Sequence, residues 1–478
     1  MDQSPMQHLP DELLSDILSF LLDSRPQALD IGGRNGLEAE SQTIRLGEAS
    51  DLDRFRLVCK RFMRIGTPRQ FSRFNLRFSE HGFRRLGDLL EMQLACYVKS
   101  VTYLVRPFYQ GSGWMPMLRT LGFEDPTLAQ VHIRRFREQT RLVENNRDLV
   151  QLRKAMEAFS SLQEIKLLRL QDKADDDLLD FIRDHSIRRA EGTSLRTTRF
   201  DWESACSRAV TNLGISILGS QQCTSIRFIG PQISPEATLQ LLRAPPTTFT
   251  AIGSRLTSLD INFHSHTDIT ATMSDLSGVF RRVFTEAQNL VTIKIGFPPK
   301  SPLNLALEAI FHNISWKTLR TLGLKGWRLH AEEIISLARR HRSQLRDLRL
   351  NAVYVRPGGR WIDVLSVLRV EMKQLNHLDL TDIDYSGNFD AVFLTSGVEV
   401  FDDPLSITPI SSSLSNATSA FPPQPDLLDK VRDLATVDLG DNGLHVHRDQ
   451  GHLWEAWVLS GLRMQDVHSN SSVMNEER

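Results

Sequence analysis

Two groups of histidine and aspartate residues have spacings that would suit a metal ion. The first group is His264, His266 and Asp268, and the second is Asp441, His445, His447 and His452. Because alternate residues of a strand point to the same side, each histidine pair offers two imidazole nitrogens in one direction. Isolated pairs of this kind are more often polar residues at the rim of a fold, so we predict neither a metal site nor a cofactor.

The motifs of common enzyme classes are absent from the sequence. There is no G-x-S-x-G elbow, P-loop, H-E-x-x-H motif or dinucleotide-binding fingerprint. The run HIRRFREQTRLVENNR from His132 is basic enough to bind an acidic partner, but Glu138 and Glu144 interrupt it, which favours a solvated helix face. Three tryptophans are candidates for recognition hot spots or for core packing, and we favour packing. They are Trp316, Trp327 and Trp361.

The composition excludes several classes of partner. The 478 residues are 41% hydrophobic, and 57 Lys and Arg residues balance 58 Asp and Glu residues. Such a chain can bury a large core but has no overall positive field, so we predict no nucleic-acid partner and no membrane partner. The four cysteines are scattered, and acidic residues interrupt the opening apolar run, which favours a reducing cytoplasmic or nuclear location.

A six-residue pattern, apolar-x-x-apolar-x-apolar, returns along the chain after Pro68. Its copies are FSRFNL from Phe71, VKSVTY from Val98, LQEIKL from Leu162, CTSIRF from Cys223, LTSLDI from Leu256, LVTIKI from Leu290, LRTLGL from Leu319, LRDLRL from Leu345, LNHLDL from Leu375 and LATVDL from Leu434, with LRTTRF from Leu195 as a degenerate copy. Alternation at the end of each copy predicts a strand, and stretches such as AEEIISLARRHRSQ between copies predict helices. Many copies start about 30 residues apart, which indicates stacked strand–helix repeats.

The predicted fold class is α/β, with parallel strands and outer helices. The repeats resemble the longer, irregular members of the leucine-rich-repeat class, and we assign residues 69–464 to such a solenoid. Insertions at about 106–151 and 386–426 interrupt the array, and the second is low-complexity and expected to be mobile. Residues 465–478 are expected to form a disordered tail.

One position in each strand copy is predicted to face the open, concave side of the solenoid. It lies between the last two apolar residues of the pattern and is more basic in the earlier copies than in the last two. The charged residues at this position are the candidates for contact with a protein substrate. They are Lys166, Arg199, Arg227, Asp260, Lys294, Arg349, Asp379 and Asp438. Ordinary solvated polarity explains the same residues equally well.

The run HLPDELLSDILSFLL from His8 predicts an amphipathic helix, with Pro10 suited to its first position. Its apolar stripe consists of Leu13, Ile17, Leu18, Leu21 and Leu22. A second helix is predicted in DLDRFRLVCKRFMRI, between a start signal at Ser50 and Asp53 and a stop at Gly66-Thr67-Pro68. Its apolar face consists of Leu52, Phe55, Val58 or Cys59, Phe62 and Ile65.

The segments LPDELLSDILSFL and FRLVCKRFMRIGTP together resemble an F-box, and the whole chain resembles a fungal F-box protein. The match covers Leu9 to Leu22 and Asp51 to Pro68 and defines a module over residues 1–68, with an insertion at about 24–49 that the family usually lacks. The resemblance implies a three-helix module that binds the Skp-type adaptor of an SCF (cullin-RING) ubiquitin ligase. The residues implied at the adaptor interface are Leu9, Pro10, Leu13, Ile17, Leu18, Leu21, Val58, Cys59 and Lys60.

The function implied is that of a substrate-recognition subunit that performs no chemistry itself. The F-box would bind the adaptor, and through it a cullin, while the repeats hold a protein to be ubiquitinated and raise its local concentration. Three alternatives remain open: a scaffold that acts outside a ligase, helices that only cap the neighbouring repeats, and an enzyme with an unrecognised site. The last would need a deep pocket with perturbed ionisable groups, and the sequence offers no support for it. For an adaptor interface, some of the apolar residues from Leu9 to Leu18 should be exposed in the isolated chain.

Overall fold

The structure is a computed structural model that describes residues 9–23, 51–111, 113–188, 199–220, 223–233, 246–263, 268–395 and 454–460. Three helices form its first part. They are α1 (Asp11–Asp23), α2 (Asp51–Val58) and α3 (Lys60–Gln70). We call residues 9–23 and 51–70 the N-terminal module. Its small core consists of Leu14, Leu18, Leu52, Phe55 and Phe62.

The second predicted helix is in fact two helices, and its predicted stop is wrong. Cys59 has an extended backbone, with φ at −162°, and separates α2 from α3. Helix α3 then continues through Gly66-Thr67-Pro68 and ends only at Gln70. A Cβ on Gly66 would lie 2.5 Å from the Arg56 side chain. The glycine that indicated a helix end therefore allows close contact between α2 and α3.

Twelve strands lie within the described residues. They are β1 (Arg73–Arg77), β2 (Ser100–Val105), β3 (Phe108–Gln110), β4 (Glu164–Arg169), β5 (Arg199–Asp201), β6 (Ile226–Ile233), β7 (Leu256–Phe263), β8 (Thr292–Gly296), β9 (Thr321–Leu329), β10 (Asp347–Val355), β11 (His377–Thr381) and β12 (Asp384–Tyr385). Ten of them form one sheet in the order β1-β2-β4-β6-β7-β8-β9-β10-β11, with β12 also paired to β10. All of the pairings in this central sheet are parallel, which confirms the α/β class.

Helices connect the parallel strands, because a chain must cross over to start each new strand in the same direction. They are α4 (Glu80–Glu91), α5 (Trp114–Glu124), α6 (Pro126–Glu144), α7 (Arg147–Ala158), α8 (Lys173–Arg188), α9 (Trp202–Gly219), α10 (Pro246–Arg255), α11 (Thr270–Asp275), α12 (Ser277–Glu286), α13 (Glu308–Phe311), α14 (Ala331–Arg340), α15 (Trp361–Glu371) and α16 (Ser386–Thr395). A further helical segment covers residues 454–460.

The hydrophobic core lies between the helices and one face of the central sheet. In β8, for example, Ile293 and Ile295 are buried, whereas Thr292 and Lys294 are half-buried on the opposite face. One large cluster extends along β7 to β11 with their helices, and a second covers β1, β2, β4 and the start of β6. We call the other, polar side of the sheet the open face.

The tryptophans in the larger cluster are core residues, as favoured from the sequence. Trp316, Trp327 and Trp361 are 0% exposed. Each indole nitrogen donates to a backbone carbonyl, at 3.3, 2.8 and 2.9 Å respectively. A buried N–H without a partner would be costly, so these bonds allow large aromatic rings to fill the core.

The degenerate strand copy at Leu195 does not belong to the central sheet. Its last residues begin β5, which pairs antiparallel with β3 in a separate two-stranded sheet. Strand β4 pairs directly with β6 instead. The prediction that Arg199 lies in the row of open-face residues is therefore wrong.

Both predicted insertions contain regular structure. Between residues 106 and 151, β3 is followed by α5 and α6, which pack in a satellite cluster around Trp114. The segment from Ser386, expected to be mobile, begins with α16, and its Phe389 ring lies 4.6 Å from the Tyr354 ring. The remainder of that insertion, the copy from Leu434, residues 24–49 and the tail 465–478 lie outside the described residues.

A bend recurs at one level of three neighbouring strands. Gly326, Ala352 and Asp382 have φ angles of 65°, 48° and 53°. The pairing register places Gly326 level with Ala352, and Asp382 follows at the same level after β11. A Cβ on Gly326 would lie 2.2 Å from the carbonyl oxygen of Phe297, so this position requires glycine. We call these three residues the left-handed rung.

The helical segment 454–460 closes the described end of the central sheet. The backbone N–H of Leu380 in β11 donates to Glu455 Oε1 at 2.7 Å. Arg369 Nη1 donates to the Trp457 carbonyl at 2.6 Å, and its guanidinium lies 4.4 Å from the Trp457 ring centroid. These contacts cover an edge strand that would otherwise expose unpaired backbone groups.

Candidate binding surfaces

The N-terminal module exposes more large apolar side chains than its size would suggest. Its five most exposed are Leu13 (48%), Ile17 (36%), Leu57 (81%), Val58 (62%) and Met63 (49%). They lie on all three helices, around a core of only five buried residues. The expectation that part of the opening stretch faces solvent is confirmed by Leu13 and Ile17.

The residues implied at an adaptor interface do not all lie on the surface. Leu18 is only 1% exposed and packs inside the module, so its assignment to a surface is wrong. In α1 the spacing of four residues that joins Leu13 to Ile17 also joins Leu14 to Leu18, and α2 and α3 cover the latter pair. The sequence pattern could not tell these two stripes apart.

The other implied residues are distributed as follows. Pro10, Val58 and Lys60 are exposed, Leu9 and Cys59 are half-buried against the module core, and the side chain of Leu21 lies outside the described residues. Cys59, and not Val58, is thus the residue of that pair that contacts the core. Leu57 and Met63 were missed, because they lie off the apolar face that the sequence predicted.

The module is held together by a charged contact at the start of α1. Arg61 Nε and Arg64 Nη2 each lie 2.6 Å from a different carboxylate oxygen of Asp11. The side-chain hydrogen bond from Arg61 is the largest of the interactions that lower the pKa of Asp11 below its usual value. Arg69 Nη2 donates to Ser15 Oγ at 2.8 Å and ties the end of α3 to α1.

The open face carries most of the charged residues predicted to contact a substrate. Register aligns Asp260 with Lys294, Lys294 with Gly323, Gly323 with Arg349, and Arg349 with Asp379. Lys166 lies in the same row, but it pairs with Ile229 and not with Arg227. Arg227 lies opposite Glu164, two residues away from the row that contains Lys166. Asp438 lies outside the described residues.

The charges of the open face largely neutralise one another. Lys294 Nζ lies 3.7 Å from Asp260, and Lys166 Nζ lies 3.2 Å from Glu164. Asp347 accepts from Arg349 at 2.9 Å and contacts His377 Nδ1 at 3.0 Å. Burial raises the pKa of Asp347, but the Arg349 hydrogen bonds and the neighbouring charges outweigh it and leave the pKa lowered.

The basic run from His132 belongs to α6, and its exposed residues Arg134, Arg137 and Arg141 form the solvated face favoured from the sequence, whereas His132 and Arg135 face inward. His132 is 0% exposed, and its imidazole bonds Tyr109 Oη at 2.8 Å and the Ala174 carbonyl at 2.9 Å. Burial lowers the pKa of His132 to about 4. The residue is therefore a neutral packing group between α6 and α8.

A four-charge cluster lies beside this histidine. Arg106 and Arg135 each bond both Asp172 and Asp175, at 2.7 to 3.2 Å. Two positive and two negative groups leave no net charge, and Asp175 is 1% exposed. The arrangement fixes the folded insertion onto α8, with Asp175 buried and Asp172 partly exposed.

The described residues contain no group of three or more His, Cys, Asp or Glu side chains placed to hold a metal ion. Of the first histidine group only Asp268 is described, and the second group lies wholly outside the described residues. No helix in the described part of the chain is long and apolar enough to cross a lipid bilayer.

Comparison with known proteins does not assign the chain to a family. No family model matches it, and no curated protein sequence is significantly similar. The geometry of the N-terminal module and of the central sheet is therefore the basis for any functional assignment.

Proposed function

We propose that this protein is a substrate-recognition subunit of an SCF-type ubiquitin ligase. Its N-terminal module would bind a Skp-type adaptor as an F-box, and its repeats would form an irregular leucine-rich-repeat-like solenoid that holds a protein substrate. The chain would carry out no chemistry itself and would act by bringing target lysines close to a ubiquitin-loaded enzyme.

The observation that carries this proposal is the exposed apolar surface of the N-terminal module. Monomeric proteins seldom expose many large apolar side chains within one small unit, and such units are usually interfaces. Leu13 and Ile17 are exposed on α1 while Leu14 and Leu18 hold α1 to its neighbours. The surface residues can therefore bind a partner without taking part in the fold of the module.

The parallel sheet supports the second half of the proposal. Each strand of its regular part is followed by a helix, and the strands succeed one another in chain order. This arrangement supports a stacked-repeat solenoid, which would offer an extended surface for a protein partner. The polar open face is the corresponding candidate for substrate contact.

The decisive experiment measures adaptor binding and thermal unfolding of Leu13→Ala combined with Ile17→Ala. If both are interface anchors, each substitution should cost roughly 2 kcal/mol of binding free energy, which is about thirtyfold in affinity. The unfolding temperature should change little, because both side chains are partly exposed. Val370→Ala is a matched control, since Val370 is 53% exposed on α15, far along the chain from the module.

Three outcomes distinguish the alternatives. Unchanged adaptor affinity in the double variant contradicts the F-box assignment. Loss of both binding and folded structure favours helices that only cap the repeats. Adaptor binding without recruitment of a cullin, measured by co-purification, favours a scaffold that acts outside a ligase.

A further inference from the structure

A large polar cleft separates the N-terminal module from the central sheet. Its volume is about 1260 Å³. Helices α1 and α3 form one wall, and the other wall consists of the residues at the amino ends of β1, β2, β4, β6 and β7. Because the strands are parallel, all of these amino ends meet along one edge of the sheet. The cleft is therefore distinct from the exposed apolar surface of the module, and it continues onto the amino end of the open face at Glu164 and Arg227.

The acidic groups that line the cleft are mostly neutralised from within. Asp11 bonds the guanidinium groups of Arg61 and Arg64. Glu164 accepts from Ser100 Oγ at 2.9 Å and lies 3.2 Å from Lys166 Nζ. These two carboxylates thus have little capacity left to attract or repel a ligand.

Three basic residues in the same lining differ from these carboxylates because no described residue neutralises them in an ion pair. Arg69, Arg73 and Lys99 form no ion pair with any described residue, and Arg73 and Lys99 are exposed. They are nevertheless held in position. Arg69 donates to Ser15 Oγ, and the backbone N–H of Lys99 donates to the Ser72 carbonyl at 2.8 Å. Arg73 begins β1, and Lys99 directly precedes Ser100, the residue of β2 that pairs with Arg73. Paired strands are about 5 Å apart in a sheet.

We propose that this cleft binds an acidic peptide segment, with Arg69, Arg73 and Lys99 holding its carboxylate or phosphate groups. Charge-assisted hydrogen bonds from Arg and Lys are the usual means of holding such groups. Serine hydroxyls in the lining, such as those of Ser160 and Ser161, supply further donors. The inference goes beyond adaptor binding and does not depend on it, because none of the three basic residues belongs to the exposed apolar surface.

A peptide fits the cleft better than a nucleic acid does. Glu12 remains in the lining without an ion pair to a described residue and would repel a continuous row of phosphates, but it leaves room for one or two discrete anionic groups. Among the described residues, the lining also contains no aromatic side chain on which a base could stack.

The test measures binding of three labelled peptides of equal length to the full chain at low salt. One is rich in Asp and Glu, one carries phosphoserines, and one has Gln and Ser at the same positions. We expect the two anionic peptides to bind and the neutral peptide to fail. If only one anionic peptide binds, it identifies the source of the anionic group. Equal binding of all three, or of none, overturns the proposal.

Charge reversal locates the site. Arg73→Glu combined with Lys99→Glu should weaken binding of the anionic peptide at least about tenfold. The matched control is Arg320→Glu with Arg346→Glu, which makes the same change in net charge at a second basic groove on the same sheet edge. An equal loss in the control would mean a general electrostatic effect and would contradict a specific cleft.

Three further measurements keep the outcome clear. Adaptor binding by the Arg73 and Lys99 variant should be unchanged, so failure of the cleft proposal can be told apart from failure of the adaptor proposal. If the charge reversals unfold the chain, Arg73→Gln with Lys99→Gln replaces them and should still weaken binding several-fold. Single-stranded DNA that displaces the peptide at equal concentration would favour a nucleic-acid ligand and overturn the peptide assignment.

Discussion

The N-terminal module and the sheet from β8 to β11 differ in how far their large apolar side chains are exposed to solvent. In the module, five buried residues hold three helices together, and five other large apolar side chains are exposed around them. In the sheet, Trp316, Trp327 and Trp361 are completely buried, and each indole nitrogen has a carbonyl partner.

This contrast distinguishes two effects of apolar residues, stabilisation of the fold and association with a partner. Burial of large rings in a close-packed core stabilises the fold, whereas exposed apolar residues on a small, weakly buried unit favour association. The sheet can therefore keep its structure alone, and we expect the module to be completed by a partner. The predictions below test this contrast, beginning with the largest expected effect.

Removal of a buried ring from the sheet should cost the most stability. Trp316→Ala should lower the free energy of unfolding by about 3–5 kcal/mol, because it leaves a cavity among Phe284, Phe311 and His341. Denaturant unfolding followed by circular dichroism measures this loss. Val291→Ala is the control, since Val291 is 37% exposed in the same region. A loss below about 1 kcal/mol for Trp316→Ala would contradict the close packing described above.

Within the module, two adjacent leucines should behave differently. Leu14 is 0% exposed and Leu13 is 48% exposed. Leu14→Ala should lower the free energy of local opening by about 3 kcal/mol, whereas Leu13→Ala should change it by less than about 1 kcal/mol. Amide hydrogen exchange in α1 to α3 provides the measurement. Equal effects would show that the module does not separate its core from its surface.

Acidification should weaken the sheet before the module. Burial lowers the pKa of His341 to about 4, from an ordinary value near 6.5. Below pH 6.5 the unfolded chain binds a proton at this histidine, whereas the folded chain does so only near pH 4. The free energy of unfolding is therefore unaffected by this group above pH 6.5 and falls by about 2–3 kcal/mol as the pH falls from 6.5 through 4. The described part of the module contains no histidine.

The measurement is denaturant unfolding at pH 7.5 and at pH 4.5 for the parent chain and for His341→Gln. The variant should lose less stability on acidification than the parent does. His132, whose pKa is also lowered to about 4, should leave some pH dependence in the variant. An identical pH dependence in the two proteins would mean that His341 is protonated as easily in the fold as outside it.

The smallest effect on stability is expected at the most exposed apolar residue of the module. Leu57 is 81% exposed at the end of α2. Leu57→Ser should change the free energy of unfolding by no more than about 0.5 kcal/mol, as is usual for surface positions. Thermal unfolding of the isolated chain tests this. A loss above 1 kcal/mol would mean that Leu57 already packs against part of the chain.

The sequence predicted the central sheet well because its signal is local. Each copy of the six-residue pattern from Phe71 to Leu375, apart from the one at Leu195, contains residues that alternate between a buried and an open face. Each of these copies forms a strand of the parallel sheet. The copy at Leu195 carries the same local pattern, but its pairing depends on β3, about 90 residues earlier in the chain. The six-residue pattern contains no information about which strand a copy will pair with.

The candidate surfaces were harder to predict, because they depend on which neighbours cover a residue. Leu13 and Leu14 are equally apolar and belong to equivalent helical stripes, and only the packing of α2 and α3 decides that Leu14 is buried. Arg227 was placed in the wrong row because β6 pairs with its neighbours in a register two residues away from the one that the aligned six-residue copies predict. Such a shift changes hydrogen bonding without changing the apolar pattern.

The left-handed rung restricts where the chain can accept insertions and deletions. Between the start of β10 and Ala352, loss of one residue would move Val353, a β-branched residue, into a conformation with φ near 48°. The same slip would turn every later side chain of the strand to the opposite face. Length changes should therefore accumulate in the segments before each strand, and the distance from strand start to rung should stay constant in any functional variant.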